Sequence, residues 1–357
     1  MTGCNVGVDL GYGFLKCRSA SRHFLLPSVV GTAQRLIYRS ELSGYTAPED
    51  NLLVETDGGH YFVGTLAVRQ SEVAARSLAE DRPNDPAARI LFRTALALLA
   101  ETGVSTFNVV TGLPPVYFRN SQERLQEMIR GEHRVVLSGG ERPVDRSFWV
   151  GSVRVIPQPF GTLFDLLLDE AGTPQNVDLA EARIGICDVG FRTADCVVAD
   201  RLDYIDRHSF STTCGMSAAY ALIAARLQAE YGVTKSNYEL DTAIRGGRLR
   251  TGGQIHDITE LREEAFCAVA DKIVTEMRSN WPVRDLDVIY LSGGGAEALA
   301  PHLLAAFDTA VLAPGAQEAN VRGYWKLANK LHGGTEVVSP NGRSTIRPEA
   351  VGHGLPV

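Results

Sequence analysis

Val6-Gly7-Val8-Asp9-Leu10-Gly11-Tyr12-Gly13 and Ile184-Gly185-Ile186-Cys187-Asp188-Val189-Gly190-Phe191-Arg192-Thr193 are two versions of one pattern, one in each half of a 357-residue chain. Each is an apolar, β-branched run that ends in Asp-x-Gly. An aspartate at the tip of a buried strand is costly unless a cation or hydrogen bonds offset its charge, and the glycine after it lets a ligand approach the backbone closely. Two such tips, one per half, suggest a single phosphate chain gripped from both sides. A third glycine turn, Ser292-Gly293-Gly294-Gly295, follows the apolar run from Asp287 to Leu291 and precedes an Ala- and Leu-rich helix pattern. Backbone N–H groups at such a turn can receive a ligand edge.

The length exceeds one ordinary core and fits two domains, which an internal near-duplication would supply. With 45% hydrophobic and 22% charged residues and a mean hydropathy of -0.04, the composition is that of a globular protein rather than a disordered one. The formal net charge is -7 and the sequence pI about 5.7. No overall attraction for nucleic acid or an anionic membrane follows from this, so a link to DNA would run through a partner. No apolar run approaches the ~18 residues of a membrane span, and Met1-Thr2-Gly3-Cys4 enters strand pattern without a leader-like segment. A cytoplasmic protein is expected. The 6 cysteines lack C-x-x-C spacing and the 8 histidines lack H-x-x-x-H spacing, which reads as reduced thiols rather than disulfides or zinc.

Between these tips the pattern is α/β. Strands are expected over Phe14–Cys17 and His23–Pro27 as an antiparallel edge, and a turn-rich insertion follows at about 31–80. A helix capped by Asp85, with Pro86 in its first turn, should run towards Gly103. The strand Phe107–Pro114 comes next, and Asn120-x-x-Glu123 resembles a capping box opening a helix to Ile129. After Val153–Pro159, a helix is expected from about Gly161. The second half repeats the plan: strands at 184–187 and 195–198, a helix from Gly215 to Tyr231, a second insertion beginning at 233, and a helix capped by Thr259 and broken at Trp281-Pro282. The tail from about Gly333 is polar and is expected to be loosely ordered.

Asp9-x-Gly11-x-Gly13-x-x-Lys16 puts a carboxylate, two permissive glycines and an ammonium into one turn and its return strand. A divalent ion reconciles these with phosphate. Mg²⁺ keeps most of its waters and needs few carboxylates, so Asp9 and Asp188 could hold its water shell, with Lys16 neutralising a phosphate directly. The plainer alternative is a tight hairpin with a solvated Lys16. Asp188-x-Gly190-x-x-Thr193-x-Asp195 has the same form and adds a hydroxyl. Arg245-Gly246-Gly247-Arg248-Leu249-Arg250 reads either as an exposed loop or as a contact for DNA or a partner filament. Trp149, Trp281 and Trp325 read as packing residues.

With these three turns the chain resembles the actin, Hsp70 and sugar-kinase superfamily, and within it the bacterial and archaeal actin-like proteins of the ParM/StbA type, including the plasmid PRTRC branch. The resemblance rests on Val8–Gly13, Val110-Thr111-Gly112-Leu113-Pro114, Asp188–Asp195 and Asn320-Val321-Arg322-Gly323-Tyr324-Trp325-Lys326, and it covers nearly the whole chain. It implies two RNase H-like, actin-like domains flanking a nucleotide cleft: 1–165, 166–320 with an insertion at about 233–282, and a C-terminal helix within 321–357 packing back on the first. It also implies ATP, or GTP, with Mg²⁺ near Asp9 and Asp188. The binding residues would be Gly11, Tyr12, Gly13 and Lys16, then Gly190, Phe191, Arg192, Thr193 and Gly215, with Gly293, Gly294 and Gly295 at the adenosine end. Gln158 falls where relatives carry the residue that orients the attacking water; the alternative is a surface turn between two prolines. Tyr12 stands where actin has a small hydroxyl residue. Arg192 either reaches the terminal phosphate or turns to solvent or an acid.

The activity so implied is ATP hydrolysis coupled to self-association into filaments, for plasmid or other DNA segregation through a DNA-binding adaptor, with no membrane contact. A small-molecule phosphotransferase on the same fold, or a non-polymerising ATP-dependent switch, are the alternative readings.

Overall fold

The apolar run around Val6 and Val8 forms β1 (Cys4–Leu10), buried from Asn5 onward, and turns into β2 (Phe14–Arg18) and β3 (His23–Pro27) as the antiparallel edge expected from the sequence. This computed structural model describes residues 3–33, 48–71, 74–76, 82–100, 104–138, 142–235 and 237–333. The tail beyond Gly333 lies outside the described residues. The first insertion supplies β4 (Val29–Thr32), β5 (Leu52–Thr56), β6 (Gly59–Val63), α1 (Thr65–Gln70) and β7 (Ala74–Arg76).

α2 (Pro86–Leu99) starts as expected: the Asp85 side chain accepts the Ala87 N–H at 2.9 Å, and Pro86 occupies the first turn. Next come β8 (Val104–Leu113), α3 (Pro115–Ile129), β9 (Gly131–Leu137), β10 (Val144–Pro157) and α4 (Phe160–Leu167). α3 corrects the sequence reading, because it begins at Pro115 rather than at Asn120. Proline at the first helical position has its φ preset and lacks an N–H that would need a partner. The Tyr117 and Phe118 amides donate to the Pro114 carbonyl, and Asn120 to Glu123 then lie inside the helix. The ten strands pair in the order β3-β2-β1-β8-β10-β9-β5-β6-β4-β7. The insertion therefore extends the sheet, joined to β9 through Val54↔Leu137 and Glu55↔Val136.

The second half supplies α5 (Val177–Glu181), β11 (Arg183–Val189), β12 (Ala194–Asp200), β13 (Asp203–Tyr204), β14 (Phe210–Thr212) and α6 (Met216–Tyr231). The second insertion folds as α7 (Asn237–Gly246) and the hairpin β15 (Arg248–Thr251) and β16 (Gln254–Asp257). After α8 (Thr259–Asn280) come β17 (Val288–Ser292), α9 (Ala296–Ala306), β18 (Ala310–Leu312) and α10 (Ala319–His332). Thr259 does not cap α8. It is the first helical residue, and its own amide donates to the Asp257 carboxylate at 2.8 Å. Asp257, two residues upstream, meets the need for an acceptor at the helix start.

The two sheets repeat one order. β1 pairs antiparallel with β2 and parallel with β8, which is parallel to β10; β11 pairs antiparallel with β12 and parallel with β17, which is parallel to β18. Asp9 and Asp188 thus occupy equivalent places, each one residue before the end of its central strand. Between the sheets lie α4 and α10, whose Leu163, Tyr324 and Leu327 share one apolar cluster with Val110 and Ile156 of the first sheet and Ile184, Ile186 and Val197 of the second. The two helices cross with glycine against glycine: a Cβ on Gly323 would stand 1.7 Å from the Gly161 carbonyl oxygen. Beside the crossing the buried Asp165 carboxylate takes a forked pair of bonds from Arg322 and a 2.9 Å contact from Lys326.

Candidate functional site

Both Asp-x-Gly tips close in the same way. The Gly11 N–H donates to the Phe14 carbonyl at 3.1 Å and the Gly190 N–H to the Thr193 carbonyl at 2.8 Å, so those two amides belong to the turns rather than to a ligand. Each hairpin is pinned from outside. Ser28, after β3, donates its hydroxyl to Gly11 O at 2.6 Å and its amide to Gly13 O at 3.0 Å. Met216 and Ser217, at the start of α6, donate their amides to Gly190 O and Phe191 O at 3.1 and 2.7 Å. Gly215 lies directly against the Phe191 and Arg192 backbone; it supports the second hairpin and does not line the cavity between them.

That cavity, about 490 Å³, is lined by Asp9, Gly11, Tyr12, Gly13, Lys16 and Gln158 from the first half, and by Asp188, Gly190, Phe191, Thr193 and the Gly293–Gly295 turn from the second. Its size suits a ligand of nucleotide dimensions. The third turn is forced to be glycine: Gly293 has φ +89°, and a Cβ there would meet Asp188 Oδ1 at 2.2 Å. Gln158 is not a surface turn residue. Its amide lies between the carboxylates of opposite halves, donating to Asp9 Oδ1 at 3.4 Å and Asp188 Oδ2 at 3.3 Å. Arg192 does not line the cavity; its guanidinium lies over the Tyr12 ring, 5.2 Å from the centroid, linking the two hairpins.

The duplication is uneven in charge. Opposite Asp9 in the hairpin register stands Lys16, and their side chains meet at 2.9 Å. Opposite Asp188 stands another buried acid, Asp195. Burial lowers the readiness of Lys16 to hold its proton, but Asp9 and Asp188 outweigh this and leave its pKa raised. Asp188 is pushed up to about 7, first by burial and then by Asp9 and Asp195, against the pull of Lys16. Its carboxylate lacks sufficient positive charge in this structure. A divalent cation would supply it. Among the described residues no group of three or more acid, histidine or cysteine side chains could hold a metal by itself. Two carboxylates nevertheless fit Mg²⁺, which keeps several waters and shares the rest of its shell with phosphate.

The sequence reading left one wall of the cavity unassigned. The Arg245–Arg250 segment is not a loop: Arg245 lies in the last turn of α7 and lines the cavity, its Nε bonded to Asp241 at 2.8 Å, while Asp241 also accepts the Tyr220 hydroxyl at 2.6 Å. Arg262 and Glu263 of α8, bonded to each other at 2.9 Å, line the same end. Arg248 and Arg250 are exposed on β15. Nothing local in the sequence signals that the second insertion walls the cleft, nor that Ser28 and Asn320 reach it.

Residues 7–161 match the family model of the actin-like proteins' N-terminal domain, and residues 186–305 match that of the archaeal actin homologue MreB-like C-terminal domain. The two matched stretches carry the Asp9 and Asp188 hairpins respectively. The chain belongs to the actin-like proteins. Among solved structures, this actin-like chain is similar to a 15-stranded ParM filament from Clostridium botulinum, with 22% identity, a TM-score of 0.78, and coverage of 92% of this chain and 100% of that one. It is similar at 20% identity and TM-score 0.75 to a non-polymerisable quadruple mutant of pCBH ParM, covering 92% and 99% of the two chains. The archaeal actin homologue Ta0583 in complex with ADP matches at 19% identity and TM-score 0.75, with 91% and 99% covered. At these identities the likeness concerns the mixed α/β, actin-like fold. A sequence search of curated proteins finds no match.

Proposed function

We propose that this actin-like chain is an ATPase that assembles into filaments with nucleotide bound and loses them after hydrolysis, serving plasmid or other DNA segregation in the cytoplasm through a DNA-binding adaptor. The observation that carries the reading is the meeting of Asp9, Lys16 and Gln158 from one half with Asp188 from the other, in one cavity between repeated sheets. The ParM filament and the ADP complex among the similar folds support it. No helix among the described residues is long and apolar enough to cross a membrane. The bodies that close on the nucleotide are taken as 1–165 and 166–320.

In this reading Asp9 and Asp188 would hold a hydrated Mg²⁺, which would supply charge neutralisation on the phosphates. Lys16, now paired with Asp9, would donate to a phosphate oxygen. Gln158 cannot remove a proton well, but its amide can orient a water for in-line attack once the carboxylates it now bonds have other partners. Turnover is therefore slow. A ligand that bonds both hairpins favours the closed cleft, and only such a difference in affinity can shift the population. A phosphotransferase would need a base facing an acceptor hydroxyl. Among the described residues the one acid lining the cavity from the first half is Asp9, which is paired with Lys16.

The test is sedimentation and electron microscopy of the purified protein with Mg²⁺ and ATP, GTP or ADP across micromolar concentrations, alongside phosphate release. Filaments with triphosphate and their loss on hydrolysis are expected. Protein that stays in the supernatant under every nucleotide would refute assembly, and acceptor-dependent ADP release would favour the kinase.

A further inference from the structure

The segment Asn320–Lys326 figures in the family resemblance, yet none of its residues has a role in the reading above. Two of its side chains reach the site. Asn320 and Tyr324 are one turn apart on α10 and so share a face. The Asn320 Nδ2 donates to Asp188 Oδ2 at 2.8 Å, and the Tyr324 hydroxyl donates to the main-chain carbonyl of Gln158 at 2.9 Å. Both residues are buried, Asn320 at 3% exposure and Tyr324 at 0%.

The direction of the Asn320 amide is fixed by its other side. Its Oδ1 accepts from the Thr162 amide at 3.0 Å and from the Thr162 hydroxyl at 2.8 Å. A flipped amide would turn its NH₂ against two donors and its oxygen against a carboxylate. Thr162 lies on α4, beyond the first sheet, and Asp188 on β11 of the second. One side chain therefore ties the carboxylate of one half to the connecting helix of the other. Tyr324, on the same helix face, holds the backbone of the glutamine that lies 3.3 Å from that carboxylate.

We propose that Asn320 is a positioning residue for metal-dependent nucleotide binding: it fixes the Asp188 carboxylate against α4, and with Tyr324 it sets the spacing of Asp188 and Gln158 across the cleft. The inference rests on the nucleotide reading above. It predicts a split that a packing role would not give. Loss of the Asn320 donor impairs use of the cation and leaves contacts to sugar and base alone, whereas loss of the Tyr324 hydroxyl impairs the step that Gln158 serves.

The experiment titrates Mg²⁺ into full-length protein with N-methylanthraniloyl-labelled ADP, followed by fluorescence, and repeats the nucleotide titration in EDTA. For Asn320→Ala the half-saturating Mg²⁺ should rise about 10-fold, the scale of one hydrogen bond to a charged group, with affinity in EDTA within about twofold of wild type. Asn320→Ser, too short to reach Asp188, should give the same shift and serves if the alanine variant does not fold. Tyr324→Phe should leave the Mg²⁺ titration in place and lower kcat for ATP. Equal loss of affinity with and without Mg²⁺, or an unshifted Mg²⁺ titration, overturns the proposal. A wild-type protein that binds no labelled nucleotide under either condition overturns the nucleotide reading itself, a result distinct from a wild type that binds and a variant that matches it.

Discussion

Asp188→Asn should make the nucleotide-free protein more stable at pH 8 while removing its response to Mg²⁺ and nucleotide. The substitution keeps the shape of the site, since an asparagine with its carbonyl at the Oδ2 position still accepts from Asn320 at 2.8 Å and Gln158 at 3.3 Å. What it removes is the charge. The Asp188 carboxyl is held near 7 in the folded protein against an ordinary 3.8. Between those values the folded chain keeps a proton that the unfolded chain has released, so wild-type stability falls as pH rises through about 4 to 7. Three units at 1.36 kcal/mol each set a ceiling of about 4 kcal/mol. The pull of Lys16 is already part of that shift, so the expected gain at pH 8 is a few kcal/mol, at most about 4. The assay is urea unfolding of both proteins in EDTA at pH 4.5, 6 and 8. The difference should be small at pH 4.5, where wild-type Asp188 is already protonated, and grow with pH. Adding Mg²⁺ and ADP should raise the midpoint of wild type alone. A variant less stable than wild type at pH 8, or a difference that does not change with pH, would refute the account of Asp188 as an undercompensated charge.

Gln158→Ala should slow ATP hydrolysis at least about 10-fold while leaving nucleotide affinity within about twofold, because an oriented water is lost and no phosphate contact is; normal turnover in single-turnover assays would remove Gln158 from the reaction. Lys16→Ala strands the buried Asp9 carboxylate and should cost about 3 kcal/mol or more of stability, whereas adding Asp9→Asn should recover most of it; additive losses in urea unfolding would show that the 2.9 Å pair contributes nothing specific. Gly323→Ala forces a methyl group to within 1.7 Å of the Gly161 carbonyl oxygen and should lower stability by about 3 kcal/mol or abolish folding. Gly246→Ala, at a position where nothing lies within 4 Å of the added carbon, should instead be neutral or stabilising by up to about 1 kcal/mol in thermal unfolding.

The parts of the molecule legible from sequence are those whose signal is local. A β-branched run followed by Asp-x-Gly announces both the strand and the turn, so the positions of Asp9 and Asp188 follow from their own neighbours. The same holds for Asp85-Pro86 at the start of α2, where cap and first helical residue are adjacent. The errors at Asn120 and Thr259 arose where two local rules competed. A capping-box spacing was outweighed by Pro114-Pro115 five residues earlier, and a capping threonine by Asp257 two residues before it. The walls of the cleft were not legible because they are made by pairs distant in the chain. Asn320 meets Asp188 across 132 residues and Tyr324 meets Gln158 across 166. A buried asparagine in a helix carries no periodic signature that separates it from a surface one.

The repeat of topology without a repeat of charge explains why one cavity can both hold phosphate and respond to it. In the first hairpin Lys16 offsets Asp9, so that half is electrostatically complete before any ligand arrives. In the second, Asp195 stands opposite Asp188 and the shortage of positive charge persists. Gln158 and Asn320 supply hydrogen bonds to Asp188, and each is anchored to the first half through Leu113, Tyr324 or Thr162. A cation that relieves Asp188 while Asn320 holds it must therefore rearrange the Gln158 bond, which crosses between the halves. The free energy of relieving that charge is thereby coupled to the relative placement of the two sheets, the quantity that contact with a neighbouring copy could sense.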